Sequence, residues 1–305
     1  MCGIVGILYR NIKSQNTIAP IGKQLINMLD ALGHRGIDST GVTVIGEPIE
    51  EDFIIRLWVE PSINVVDAVN HVEKTLKNLE VDIKHRSITE NFIRLTVNYK
   101  DDINNLTKNL VALPGIIIHS IGNTSEVIKD VGDAQDLDNK HDISKLIGTH
   151  GIGHVRLATE SLVDITHSHP FWAFPFPDIT MVHNGQLTNY HNMRRLYEQK
   201  NHHFQTHNDS ELIAVYLADK MDQGLTLEES LKQSLQDLDG AFTYIVSTKN
   251  EIGVAKDQWS CKPLVVMETD DIIALASEEV ALRQVFPQEI DRIEPQQNQV
   301  MTWKI

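Results

Sequence analysis

The chain opens Met1-Cys2-Gly3-Ile4-Val5-Gly6-Ile7-Leu8, and this stretch constrains the fold more than any other. Chain ends fray unless packing ties them down. An apolar, β-favouring run at Cys2–Leu8 therefore predicts a buried strand with a thiol at its head. The run is too short for a signal-peptide core and has no basic residues ahead of it, so the N-terminus is expected to be mature, with removal of Met1 an open question. Cys2 then has two readings. It is a small buried thiol, or it is a nucleophile whose own α-amine, with a pKa of ~7.7–8.0, takes the thiol proton directly or through a water. Position alone leaves both open.

The 305 residues, 41% of them hydrophobic, suffice for one large domain or a domain with an insertion. A net charge of −15 without a Lys/Arg block argues against a nucleic-acid partner. Cys2 and Cys261 are the only cysteines and form neither a disulfide framework nor a zinc-type pair. A reducing, cytoplasmic setting is expected. No apolar run reaches the length of a membrane span.

Apolar spacing predicts a helix over Ile18–Leu32, stopped by Gly33. From about 48 to 147 a β-α-β-α-β texture without chemical motifs predicts a small α/β insertion. From Gly148 onward, polar motifs alternate with short strands, and helices are expected at Asn192–Lys200, Ser210–Met221 and Leu227–Leu238. Strands and helices in blocks, rather than strict alternation, favour antiparallel sheets with helical layers.

Several of the polar residues fit one chemistry. Asn184-Gly185 is by itself a strong signal for a type I′ hairpin turn. Its functional reading is an oxyanion hole, made of the Asn184 amide and the Gly185 N–H. Arg156 is a surface or ion-paired arginine, or a planar fork for a carboxylate. Asp209 stands where a helix begins and reads as a cap, or as the partner of an ammonium group. An arginine for a carboxylate and an aspartate for an amine together read the head of an α-amino acid. His150, His154, His167, His169, His183, His202, His203 and His207 are numerous. His167 and His169 would share a face of an extended segment, but no third ligand at standard spacing is evident, so no metal site is expected. Cys261 reads as structural, because nothing near it supplies an activating base.

The order of "MCGIVGI", "HRGIDSTG", "GIGHVRLAT", "HSHPF", "VHNGQLTNY", "NDSELIA" and "LDGAFTYIV" resembles that of class II glutamine amidotransferases, which are N-terminal-nucleophile hydrolases. The resemblance implies an α+β fold, a four-layer αββα sandwich over residues 2–305 with the α/β insertion at 48–147. It implies a glutaminase in which Cys2 attacks the glutamine side-chain amide through a thioester. Asn184 and Gly185 match the oxyanion hole, Arg156 the residue for the α-carboxylate, and Asp209 the residue for the α-amine. Thr159, His169, Arg35 and Gly36 match positions that line or brace the pocket. No motif of the acceptor domains of better-known members occurs in the sequence, so a stand-alone amidotransferase chain is expected. "ATES", "DQWSCKPLVV" and "LASEEVALR" look most like stand-alone subunits of archaeal-type glutamate synthase and N-methylglutamate synthase, enzymes of nitrogen metabolism. That implies no cofactor in this chain, FMN on a separate synthase subunit, and a hetero-oligomer. Two other classes stay open: an N-terminal-cysteine amidohydrolase acting on another amide, and a non-catalytic sensor or scaffold of the same fold.

Overall fold

The structure, a computed structural model, describes residues 2–10, 19–49, 52–158, 163–289 and 291–305. The opening strand β1 (Gly3–Tyr9) lies inside a seven-stranded antiparallel sheet, with β14 (Ile272–Ala276) on one side and β8 (His150–Arg156) on the other. Beyond β8 come β2 (Ser39–Ile45) and β7 (Ser125–Val131), and beyond β14 come β13 (Val265–Glu268) and β15 (Arg292–Ile293). Strand β1 is apolar on both faces because both are covered. Ile4 and Leu8 point to the second sheet, and Val5 and Ile7 to a helical layer. All four are fully buried. Truncating such a side chain costs ~2–5 kcal/mol, so the chain end is pinned from two sides.

The second sheet is five-stranded, in the order β16 (Val300–Lys304), β12 (Glu251–Lys256), β11 (Gly240–Ser247), β10 (Thr180–Leu187), β9 (Phe171–Trp172). Ile4, Ile152, Val182, Ile245, Val254 and Ile273 pack between the two sheets. Outside the first sheet lie α1 (Ile21–Ala31), α4 (Ala134–His141) and the short α8 (Glu279–Leu282). Outside the second lie α5 (Tyr190–Gln199), α6 (Asp209–Asp222) and α7 (Leu227–Asp237). Helix α6 is buried from Ser210 to Asp219, as expected of a helix with neighbours all round. The four layers are the αββα sandwich expected. Among the described residues, no helix is long and apolar enough to cross a membrane.

A third, four-stranded sheet stands apart, in the order β4 (Asp82–Thr89), β5 (Phe92–Asn98), β3 (Asp52–Val59), β6 (Ile116–Gly122). Helices α2 (Val65–Asn78) and α3 (Ile103–Val111) cover one face through Val69, Val72, Leu76, Leu106 and Leu110. In chain order this is a βαββαβ unit. It is narrower than the expected 48–147 segment, because β7 and α4 return to the main sandwich. Strand β4 escapes a pattern-based reading. Seven of its eight residues are exposed, so no apolar alternation marks it.

Candidate active site

Strand β1 delivers Cys2 to the end of the sandwich, where several contacts fix its backbone. Arg35 Nε donates to the Cys2 carbonyl at 2.9 Å, and Asn184 Nδ2 donates to the same oxygen at 3.1 Å. Asn184 Nδ2 also donates to Ser277 Oγ at 3.3 Å, and that hydroxyl accepts the Ile4 N–H at 2.9 Å. Arg35 is itself paired with Glu278, which also meets His34 at 3.1 Å. Burial alone would raise the Glu278 pKa, but the bonds from Arg35 and His34 together outweigh it and lower it. The Cys2 thiol faces the Leu157 peptide: Sγ accepts its N–H at 3.4 Å and lies 3.6 Å from its carbonyl.

Asn184 and Gly185 are not a turn. They lie within β10, opposite Thr243 and Phe242 of β11. Tertiary pairing overrides the local Asn-Gly signal. Phe242 turns both its N–H and its C=O to Asp257, on the side away from β10. In an antiparallel pair, Gly185 opposite then turns its own peptide outward, towards the cavity. Strand β9 pairs with β10 only at Thr180 and Met181, so that edge is open beyond them. Gly185 has φ +142°, and a Cβ there would lie 2.2 Å from the Ala241 carbonyl oxygen, so only glycine fits.

Asp209 is not the cap of α6. Asn208 takes that role, accepting the Ser210 N–H at 2.9 Å, and Asp209 follows as the first helical residue. Its Oδ2 accepts the Leu187 N–H at 3.0 Å, and Oδ1 lies 3.6 Å from His183 Nδ1. Burial alone would raise the Asp209 pKa, but His183, the Leu187 N–H and Ser210 outweigh it and lower it. The Ser210 hydroxyl lies between His183 Nδ1, at 2.9 Å, and His169 Nε2, at 2.8 Å. The hydroxyl donates its one proton to Asp209 Oδ1 at 3.4 Å, which leaves its lone pairs to accept from the two rings. Burial, with neighbouring cationic groups, pushes the His169 pKa well below its ordinary value, so this ring is neutral near pH 7.

One cavity of about 690 Å³ brings together Cys2, Arg35, Arg156, His169, Asn184, Gly185 and Asp209. Gly36 is not on its wall. It braces from behind, where a Cβ would lie 2.4 Å from the Arg156 carbonyl carbon. Thr159 lies outside the described residues. His167 and His169 both reach the cavity, but from a 3-10 turn at Ile165–His167 and the segment after it, not from one extended face. The wall also includes His183, Tyr190, His207, Ser210 and Lys262. Sequence pattern does not assign Ser277 and Glu278 to the site. Their only signal was "SEE" at the end of a strand, far from Cys2 in sequence. Among the described residues, no group of three or more His, Cys, Asp or Glu side chains is arranged to hold a metal ion.

The glutamine amidotransferase domain family matches residues 154–284. The chain is 39% identical to a protein of Methanothermobacter thermautotrophicus named "Putative glutamine amidotransferase", over 97% of each chain. It is 34% identical to the glutamine amidotransferase-like protein GlxB of Rhizobium meliloti, over 99% of this chain and 98% of that one. Its fold matches the solved structure of the allosteric regulatory enzyme of purine biosynthesis with a TM-score of 0.64 at 20% identity. That match covers 99% of this chain and 47% of the other, so the chain spans about half the length of that solved protein. The chain belongs to the class II glutamine amidotransferases, and it is an enzyme.

Proposed function

We propose that this chain hydrolyses the side-chain amide of glutamine at Cys2 and passes the ammonia to a separate, glutamate-synthase-like subunit. The observation that carries the reading is the convergence of Cys2, Arg156, Asn184, Gly185 and Asp209, from separate elements, on one cavity. Arg156 takes the α-carboxylate through its planar fork, and Asp209 takes the α-amine. A peptide-bound glutamine offers neither charge at that place. With Met1 removed, the Cys2 α-amine accepts the thiol proton and the sulfur attacks the amide carbon. The C–N bond breaks, the proton leaves with ammonia, and a thioester remains. Water then releases glutamate and restores the thiol. The Gly185 N–H and the Asn184 amide meet the developing oxyanion. To do so, Asn184 turns its longer bond, at 3.3 Å to Ser277, towards the substrate.

Free ammonia would be protonated in bulk water, so a partner closing over the cavity fits the chemistry. In this reading the chain carries no cofactor, FMN sits on the partner, the assembly is a hetero-oligomer, and the setting is cytoplasmic. The test is glutamine hydrolysis by wild type and Cys2→Ala, with and without candidate synthase subunits, alongside an intact-mass measurement. Loss of activity in Cys2→Ala, with Met1 absent from the active protein, is expected. Full activity in Cys2→Ala would sink the mechanism. Turnover of other amides but not glutamine would favour a different amidohydrolase, and no turnover at all a sensor or scaffold.

A further inference from the structure

The βαββαβ unit is joined to the segment ahead of the cavity wall through the side chain of Gln205. Strand β6 is the edge of the four-stranded sheet, so Ile118 has a peptide without a strand partner on its outer side. The carboxamide of Gln205 supplies that partner. Its Oε1 accepts the Ile118 N–H at 3.1 Å, and its Nε2 donates to the Ile118 carbonyl at 3.1 Å. The pair copies a β-ladder contact with a side chain in place of a strand. A carboxamide has one acceptor and one donor at the spacing required; a carboxylate or a thioether does not.

Gln205 is also held from the other side. Glu211, on the first turns of α6, accepts the Gln205 N–H at 2.6 Å, the Thr206 N–H at 2.8 Å and the Thr206 hydroxyl at 2.6 Å. Arg194 on α5 donates to the Thr206 carbonyl at 2.5 Å and to the hydroxyl of Tyr190, a cavity residue, at 2.7 Å. The next four residues, His207 to Ser210, all line the cavity. The segment that presents Asp209 is therefore suspended between α6, α5 and the β6 edge.

We infer that Gln205 is a positioning residue: by docking the 204–206 segment on the β6 edge, it fixes the wall that carries Asp209 and so sets the affinity for the amine end of glutamine. This rests on the glutaminase reading above. It gives the βαββαβ unit a part in the site, although none of its residues lines the cavity. Gln205 touches neither Cys2 nor the oxyanion donors in the contacts described, so the thiol chemistry is left alone.

The test compares wild type, Gln205→Met and Gln205→Glu as full chains, by amide hydrogen exchange and by glutaminase kinetics. Methionine keeps the length and removes both bonds; glutamate keeps the acceptor and loses the donor. Expected are faster exchange of the 204–210 amides and a KM for glutamine raised about tenfold, equivalent to about 1.4 kcal/mol, with kcat within about twofold. Glutamate should fall between the other two. In an Asp209→Ala background the Gln205→Met change should add little to KM. Unchanged exchange across 204–210 overturns the clamp whatever the enzyme hydrolyses. Faster exchange with unchanged KM, or with kcat falling alone, overturns the positioning role. A wild type inactive on glutamine overturns the glutaminase reading and the affinity role with it, while the exchange result still decides the clamp.

Discussion

The sandwich and the βαββαβ unit are both antiparallel sheets under helices, yet they treat buried polar groups in opposite ways. Where the unit meets the sandwich, Glu126 of β7 lies between Arg56 of β3 and Arg94 of β5, at 2.6 and 2.7 Å, and each charge has its partner. Within residues 52–122, one described buried polar side-chain atom lacks a hydrogen bond, Nε2 of His119. The sandwich leaves several, and those of His154, His169, His183 and Asn184 gather at the cavity end. A satisfied buried charge holds structure, whereas an unsatisfied polar atom beside a cavity is held ready for a ligand or water. The contrast predicts that polar substitutions cost stability in one region and activity in the other.

The largest expected effect is at the junction. Glu126→Leu leaves two guanidiniums without their carboxylate and should cost about 3–5 kcal/mol in urea unfolding, with turnover per folded molecule preserved. Burial alone would raise the Glu126 pKa, but Arg56 and Arg94 outweigh it and bring it down to about 2, from an ordinary 4.5. A carboxylate depressed on folding stabilises the native state above its unfolded pKa, and that contribution is lost as pH falls through the folded one. About 3 kcal/mol should therefore disappear between roughly pH 5 and pH 2 in wild type but not in Glu126→Leu. Parallel acid profiles for the two proteins would break this half of the comparison.

Next in size is Asn184→Ala, on the other side of the contrast. It should lower kcat about 10²–10³-fold, corresponding to ~2.7–4 kcal/mol of transition-state stabilisation. Thermal melts should change far less than for Glu126→Leu. Asp209→Asn should follow, raising the KM for glutamine about tenfold or more through loss of a charge-assisted contact, at nearly constant kcat. A glutamine analogue without the α-amine should show no such change, and an equal penalty on both substrates would argue against Asp209 as the amine's partner.

Some of this was readable in the sequence and some was not, for physical reasons. The buried β1 and the helix at Ile21–Ala31 announce themselves by apolar pattern, because burial on defined faces imposes it. Asn184-Gly185 could not be placed from its neighbours, since an Asn-Gly pair serves a turn and an open strand edge equally well. The eight-residue pairing with β11 decides it. Strand β4 is an exposed edge without a one-sided pattern. Motif order picked out Cys2, Arg35, Arg156, His169, Asn184, Gly185 and Asp209, which share one cavity, yet the anchor of Cys2 at Ser277 and Glu278 is a contact between opposite ends of the chain, and local spacing holds no trace of it. The role of Gln205 is hidden for the same reason, as its partner lies on another sheet.

The smallest expected effect is the sharpest probe of the contrast. His154 on β8 is buried, its ring nitrogens meet the His183 backbone and the Asn184 side chain only in poor geometry, and its ring lies 4.1 Å from that of His169. Burial holds its pKa at about 3, so it is neutral wherever the enzyme works and adds no pH dependence near neutrality. Replacing a poorly paired buried polar group by an apolar ring of similar shape costs little. His154→Phe should then leave the melting midpoint nearly unchanged, within about 1 kcal/mol. Turnover should still fall several-fold, because His169 loses the neighbour against which it is set while it bridges to Ser210 and the Asp209 wall. A loss of stability comparable to that of Glu126→Leu would mean that the polar atoms of the sandwich hold structure after all, and the division between the two regions would fail.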